Sequence, residues 1–151
     1  MPQPTPEGRP DSQEPTQQPA RLDAEGLFGE VIFAYTREQA IADGALIDVT
    51  ETAREAGFRI PVALSRAVWA EYVEVPDGVE AQDEAGRLWD ILWMCRWGVE
   101  RWNRVGSMFL FHLHVRNDNA EGEPPVVQLK AVCGPDDDAS PCITITLPEE
   151  D

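Results

Sequence analysis

The chain has 151 residues, with 28 Asp and Glu against 12 Lys and Arg, a formal net charge of -16 and a pI near 4.3. That length accommodates one ordinary domain and a tail. Phosphate contacts need clustered cations, so the charge argues against direct nucleic-acid binding and an anionic membrane surface, and no apolar run approaches the roughly 20 residues of a spanning helix.

Pro2, Pro4, Pro6, Pro10, Pro15 and Pro19 stand among Gln, Thr, Ser and Glu. Such a segment buries too little surface to offset its ordering entropy, which predicts a disordered tail over 1–26 and a single domain over 27–151. The opening also lacks the basic and then apolar start of a secretory signal, which points to the cytoplasm. Cys95, Cys133 and Cys142 have unrelated spacings, so neither a disulfide framework nor a zinc knuckle is indicated.

Glu30 to Ala34 reads as a short strand. Thr36 and Gln39 have capping-box spacing for a helix that Gly44 ends in the left-handed conformation. Ala45 to Val49 reads as a strand, and Thr50 as the N-cap of a short helix stopping at Gly57. Arg59 to Leu64 is extended or turn-like around Pro61. Ser65 caps a helical turn carrying Val68, Trp69 and Tyr72, and a loop follows at Pro76 to Gly78.

The longest helix is expected from about Asp83 to Trp102. Leu88, Ile91, Leu92, Cys95, Val99 and Trp102 share one arc and make a core face. Trp89, Trp93 and Trp97 form a second stripe at i, i+4 and i+8. Two readings are open for it: a helix buried on both sides within its own domain, or an interface. Met108 to Arg116 then alternates strictly, with Phe109, Phe111, Leu113 and Val115 inward and Leu110, His112, His114 and Arg116 outward. Val126 to Cys133 and Cys142 to Leu147 repeat the pattern, with Val127, Leu129, Ala131, Ile143, Ile145 and Leu147 inward and Gln128, Lys130, Thr144 and Thr146 outward. The expected class is α+β: a three-stranded antiparallel meander packed on a long Trp-rich helix, preceded by short βαβα elements.

Chemistry is sparsely signalled. His112 and His114 share a strand face and could hold a metal jointly, but a zinc site needs a third ligand. The candidates are Cys133 or the run Asp136, Asp137, Asp138, and Arg116 on the same face would repel a cation. A polar sheet face is the alternative. The three Asp lack the spacing of a calcium loop and read as a solvated hairpin turn. Cys133 and Cys142 differ in strand parity, which disfavours a disulfide between them. Cys95 sits on a core face with no base opposite it. Tyr35, Asp43 and Asp48 could frame a polar pocket, although turn and capping roles explain the two acids equally well. No dinucleotide, phosphate-loop, nucleophile-elbow or zincin motif occurs, and nothing implies a cofactor.

Charge distribution is the strongest signal. Glu71, Glu74, Asp77, Glu80, Asp83, Glu84 and Asp90 face only Arg87 as counter-charge within their segment, and after Asn117 the sole cation is Lys130. Such density projects a negative field suited to a basic groove on another protein, and an inert acidic surface is the plain alternative.

Tyr35 to Gly44 (Y-T-R-E-Q-A-I-A-D-G), with Leu46-Ile47-Asp48-Val49-Thr50, Ala56-Gly57-Phe58, Pro61-Val62 and Trp69, resembles a family of small bacterial proteins. It is a domain of unknown function often carried by phages, plasmids and integrative elements. The resemblance spans about Phe28 to Leu147 and brings no site residues. It implies a setting in which small acidic proteins inhibit host defence, including anti-restriction and anti-CRISPR proteins that act as DNA mimics in basic channels. Two hypotheses follow. One is a non-catalytic module that uses the seven acids as charge and Trp89, Trp93 and Trp97 as anchor. The other is a small enzyme or metal-binding protein with a pocket near Tyr35, Asp43 and Asp48 or near His112 and His114. The Trp stripe would serve a homodimer as readily as a foreign partner.

Overall fold

The computed structural model describes residues 35–102 and 105–150. The Pro-rich tail and the strand expected at Glu30 to Ala34 lie outside the described residues. Contacts separate Met1–Thr36 from Arg37–Asp151, and every described element belongs to the second unit.

Helix α1, Arg37–Ala42, closes with Ala45 N donating to Ala40 O (2.9 Å) and Gly44 N to Ile41 O (3.1 Å). This pair of bonds requires a left-handed residue, and Gly44 supplies it at φ +82. The start of α1 is held from far away. Asp137 Oδ1 accepts from Arg37 N (2.8 Å) and Oδ2 from Glu38 N (2.9 Å), while the Arg37 guanidinium donates to Thr144 Oγ1 and Ile143 O. The Asp run is therefore more than a solvated turn. Asp136 and Asp138 bond within their loop, whereas Asp137 caps a helix a hundred residues earlier. Asp137→Ala should lower the free energy of unfolding by about 1 kcal/mol, as loss of an N-cap does; urea denaturation measures it, and an unchanged midpoint would show that water replaces the carboxylate.

Strand β1 is Leu46–Asp48 and helix α2 is Thr50–Glu55. Thr50 is not the N-cap expected of it but the first helical residue. Val49 takes the N-cap position without a side-chain cap bond, and Asp48 before it engages Thr50: its Oδ1 accepts from both Thr50 N (3.0 Å) and Thr50 Oγ1 (2.5 Å). The Thr50 hydroxyl in turn accepts from Val62 N (3.1 Å), clipping α2 to strand β2, Val62–Ser65. Ser65 caps the next helix as expected, its Oγ accepting from Val68 N (3.3 Å). That helix, α3 at Arg66–Val68, widens into a π-turn over Trp69–Val73.

Helix α4 spans Glu84–Arg101, with Asp83 Oδ1 accepting from Gly86 N (2.6 Å) at its start. Strands β3 (Met108–His114), β4 (Val126–Pro135) and β5 (Pro141–Thr146) complete the chain. The class is α+β, but among the described residues the sheet has five strands and not three, in the order β1-β2-β5-β4-β3. β3–β4, β4–β5 and β1–β2 pair antiparallel, and β2 pairs parallel with β5. The register places Phe111, Leu129, Ile145 and Leu64 on one face, and these pack with Ile91, Leu92 and Cys95 of α4 in the core. Cys133 pairs with Ile143 and Cys142 with Gly134, on opposite faces, and none of the three cysteines is in a disulfide.

The other face is less open than alternation predicts. Thr146 is buried because the C-terminal turn folds over it: Glu150 Oε2 accepts from Leu147 N (2.7 Å) and Ser65 Oγ (2.6 Å), and Lys130 Nζ donates to Glu150 O. Among the described residues no helix is long and apolar enough to cross a membrane.

Candidate functional site

Two surfaces meet along α4, one acidic at its N-terminal end and one aromatic along its flank. At the acidic end Glu71, Glu74, Asp77, Glu80, Asp83, Glu84 and Asp90 are all exposed. Their segment is held in place by Arg87. This side chain is only 5% exposed, and it donates to Tyr72 O (3.0 Å), Gln82 Oε1 (3.2 Å), Arg116 O (2.7 Å) and Asn117 Oδ1 (2.5 Å). All four acceptors are uncharged. Burial pulls its pKa down, as expected for a cation surrounded by dipoles without a carboxylate.

Two asparagines complete the scaffold. Asn117 Nδ2 donates to Glu71 O (3.0 Å), Asn119 Nδ2 donates to Gly78 O (2.8 Å), and Asn119 Oδ1 accepts from Glu80 N (2.8 Å). The acidic segment is thereby tied to the loop after β3, which carries Asp118, Glu121 and Glu123. Within that loop Asp118 is balanced: Ala120 N and Arg116 donate to it, in that order of effect, and hold its carboxyl below the usual range. Among the described residues, no Lys or Arg forms an ion pair with any of the seven acids of the first segment. Burial pushes the Tyr72 hydroxyl up, reinforced by the neighbouring Glu71 carboxylate. Asp90 stands apart from the loop acids. It lines a hollow of about 330 Å³ with Trp93, Met94 and His114, and burial pushes its carboxyl up.

The aromatic stripe is not core. Trp89, Trp93 and Trp97 are 36%, 46% and 46% exposed, because α4 turns Leu88, Ile91, Leu92 and Cys95 to the sheet. Trp89 stacks on Trp93 with centroids 6.0 Å apart, and the Arg101 guanidinium lies 5.0 Å over the Trp97 ring. Beside them a groove of about 800 Å³ runs between α4 and β3, lined by Trp93, Met94, Trp97 and Arg101 on one wall and Phe109, Leu110, Phe111 and His112 on the other. Gly98 lets the two walls approach at its floor, a position where any Cβ would lie 2.5 Å from the Phe109 ring.

Residues 26–151 match a family model described as "Family of unknown function (DUF6573)". The chain belongs to this family. No curated protein and no solved structure matches it.

His112 Nε2 lies 3.0 Å from Gln128 Nε2, and His114 Nδ1 lies 2.7 Å from Pro124 O with its Nε2 3.6 Å from Glu123. Both imidazoles are engaged by neighbours on their own sheet face or loop. Among the described residues no group of three His, Cys, Asp or Glu is placed to hold a metal. Asp48 lines a hollow of about 380 Å³ with Arg37, Glu38 and Asp137, but Asp43 does not, and Tyr35 is 58% exposed. Cys95 is fully buried, and burial pushes its thiol far above the ordinary range. Sequence reasoning missed Arg87, Asn117 and Asn119 as organisers. Their one visible trace was a lone Arg inside an acidic segment.

Proposed function

We propose that this chain is a non-catalytic, cytoplasmic protein-binding module that presents its acidic end to a partner with a basic face. In the mobile-element setting that the sequence resemblance implies, the sharpest form of this reading is an inhibitor of a nucleic-acid-targeting defence system. An anti-restriction or anti-CRISPR protein of this kind occupies a basic channel as a DNA mimic. The observation that carries the reading is the treatment of charge around Arg87. The only cation within the acidic segment is buried on carbonyl and amide oxygens, so it fixes the loop without pairing with any of its carboxylates. A fixed array of unpaired carboxylates binds with less ordering cost than a flexible acidic tail and steers a basic partner at long range.

The test is a nuclease-treated pull-down from the native host at low and high salt, with the partner identified and its affinity measured. Reversing Glu74, Glu80 and Glu84 to Lys together should weaken binding at least tenfold, about 1.4 kcal/mol, and flatten its salt dependence. Unchanged affinity and an unchanged salt slope would remove the acidic end from the interface.

A further inference from the structure

The sheet's two edges are built differently. β1 is 3 residues long and carries Asp48. β3 is 7 residues long, holds neither Lys nor Pro, and keeps an unbroken register with β4 from Met108↔Val132 to His114↔Val126. A long flat edge offers its N–H and C=O groups as a template for another strand, and proteins blunt such edges when they are to stay unpaired.

The ladder fixes which groups are on offer. Cys133 N donates to Ser107 O (2.7 Å) and Val115 N donates to Pro125 O (3.0 Å). Alternation in steps of two assigns the bonded positions between them to Phe109, Phe111 and Leu113. The backbone groups of Met108, Leu110, His112 and His114 therefore point away from β4, to the side where no described strand lies. That side opens into the groove. Phe109 and Phe111 from the inner face line it together with Leu110 and His112 from the outer face, so the groove follows the strand's edge and not either face.

We infer that this edge and groove are the interface between two copies of this chain. β3 pairs antiparallel with β3 of the second copy about a two-fold axis at Phe111, and the two α4 helices meet through Trp93 and Trp97. In that register Leu110 lies opposite His112 and Met108 opposite His114, so every outward-directed residue meets another and the strand is complementary to itself. Charge selects the same face. Each copy carries -16, yet among the described residues the groove lining contains no acid, and Arg101 and His112 are its titratable side chains. Size agrees as well. Trp93, Met94, Trp97, Met108, Leu110 and Val126 are each at least a third exposed. Together they offer several hundred Å² of apolar surface, the scale of the about 800 Å² per partner in a stable interface.

This interface meets the acidic end at Asp90, which shares a hollow with Trp93 and Met94, but salt tells the two apart. Screening weakens attraction to a basic partner but relieves repulsion between two acidic copies. Sedimentation velocity of the full chain over a concentration series should show a dimer that tightens as sodium chloride rises. Hydrogen exchange should show the Leu110, His112 and His114 amides slowing as dimer forms, while those of Phe109, Phe111 and Leu113 are slow throughout. Leu110→Pro removes one outward N–H without touching a bond to β4, and Trp93→Glu places charge in the groove; each should weaken association at least tenfold, with circular dichroism confirming the fold. A monomer at every concentration and salt overturns the inference, as does a dimer in which the outward amides exchange as fast as in the monomer.

Discussion

Replacing Arg87 by Ala is expected to lower the unfolding free energy by about 3 kcal/mol or more, the range reached when a buried, multiply bonded charged side chain is removed. Tyr72 O, Gln82 Oε1, Arg116 O and Asn117 Oδ1 all lose their donor at once. Two of these are backbone carbonyls on different elements, so the loss is felt by the π-turn after α3 and by the loop after β3 together. Arg87→Lys should recover no more than roughly half of the loss, because one ammonium cannot reach acceptors that a planar fork spans. Urea denaturation followed by Trp fluorescence measures both variants. A loss well under about 1 kcal/mol for the Ala variant would mean that Asn117 and Asn119 suffice to hold the acidic loop. Affinity for a basic partner should fall in parallel, since the carboxylates would keep their charge but lose their fixed arrangement.

The parts of this architecture that were legible in the sequence are those set by local periodicity. Leu88, Ile91, Leu92 and Cys95 recur at helical spacing and are buried, and Phe109, Phe111 and Leu113 alternate because one face of β3 is covered. Gly44 was legible for a local reason too, since a helix end needs a left-handed residue there. What periodicity cannot state is what lies opposite a face. β2 is buried at all four positions and gives no alternation, so it read only as an extended or turn-like stretch and its parallel pairing with β5 was not visible. Asp137 capping α1 and Glu150 covering Thr146 join positions remote in the chain. The Trp stripe was legible as a stripe, but the choice between core and surface depended on where the sheet packs. The acidic segment was legible as composition, and Arg87 stood out as its lone cation, whereas the bonds by which Arg87, Asn117 and Asn119 fix it join positions remote in the chain.

Gly98→Val is expected to destabilise the chain by about 3 kcal/mol, at the upper end of what overpacking costs. Any Cβ at this position lies 2.5 Å from Cε2 of Phe109, well inside van der Waals contact. The ring has little room to retreat, because it is packed between Trp102 and Phe111 with centroids 5.4 Å and 6.2 Å away. Gly98→Ala makes the balance explicit. Its helix propensity favours Ala by about 1 kcal/mol, which offsets part of the clash, so its net loss should be smaller than that of Val. Phe109→Leu supplies the control, since shortening the ring removes the atom that the new Cβ meets. The double variant with Gly98→Val should be more stable than the sum of the single changes by about 1–2 kcal/mol, the coupling of residues in direct contact. Additive losses, or a Gly98→Ala variant stabilised by the full propensity difference, would show that α4 and β3 do not approach as closely as the glycine permits. Because this contact forms the floor of the groove, the same variants should also widen it, and self-association through β3 should weaken in step with the measured coupling.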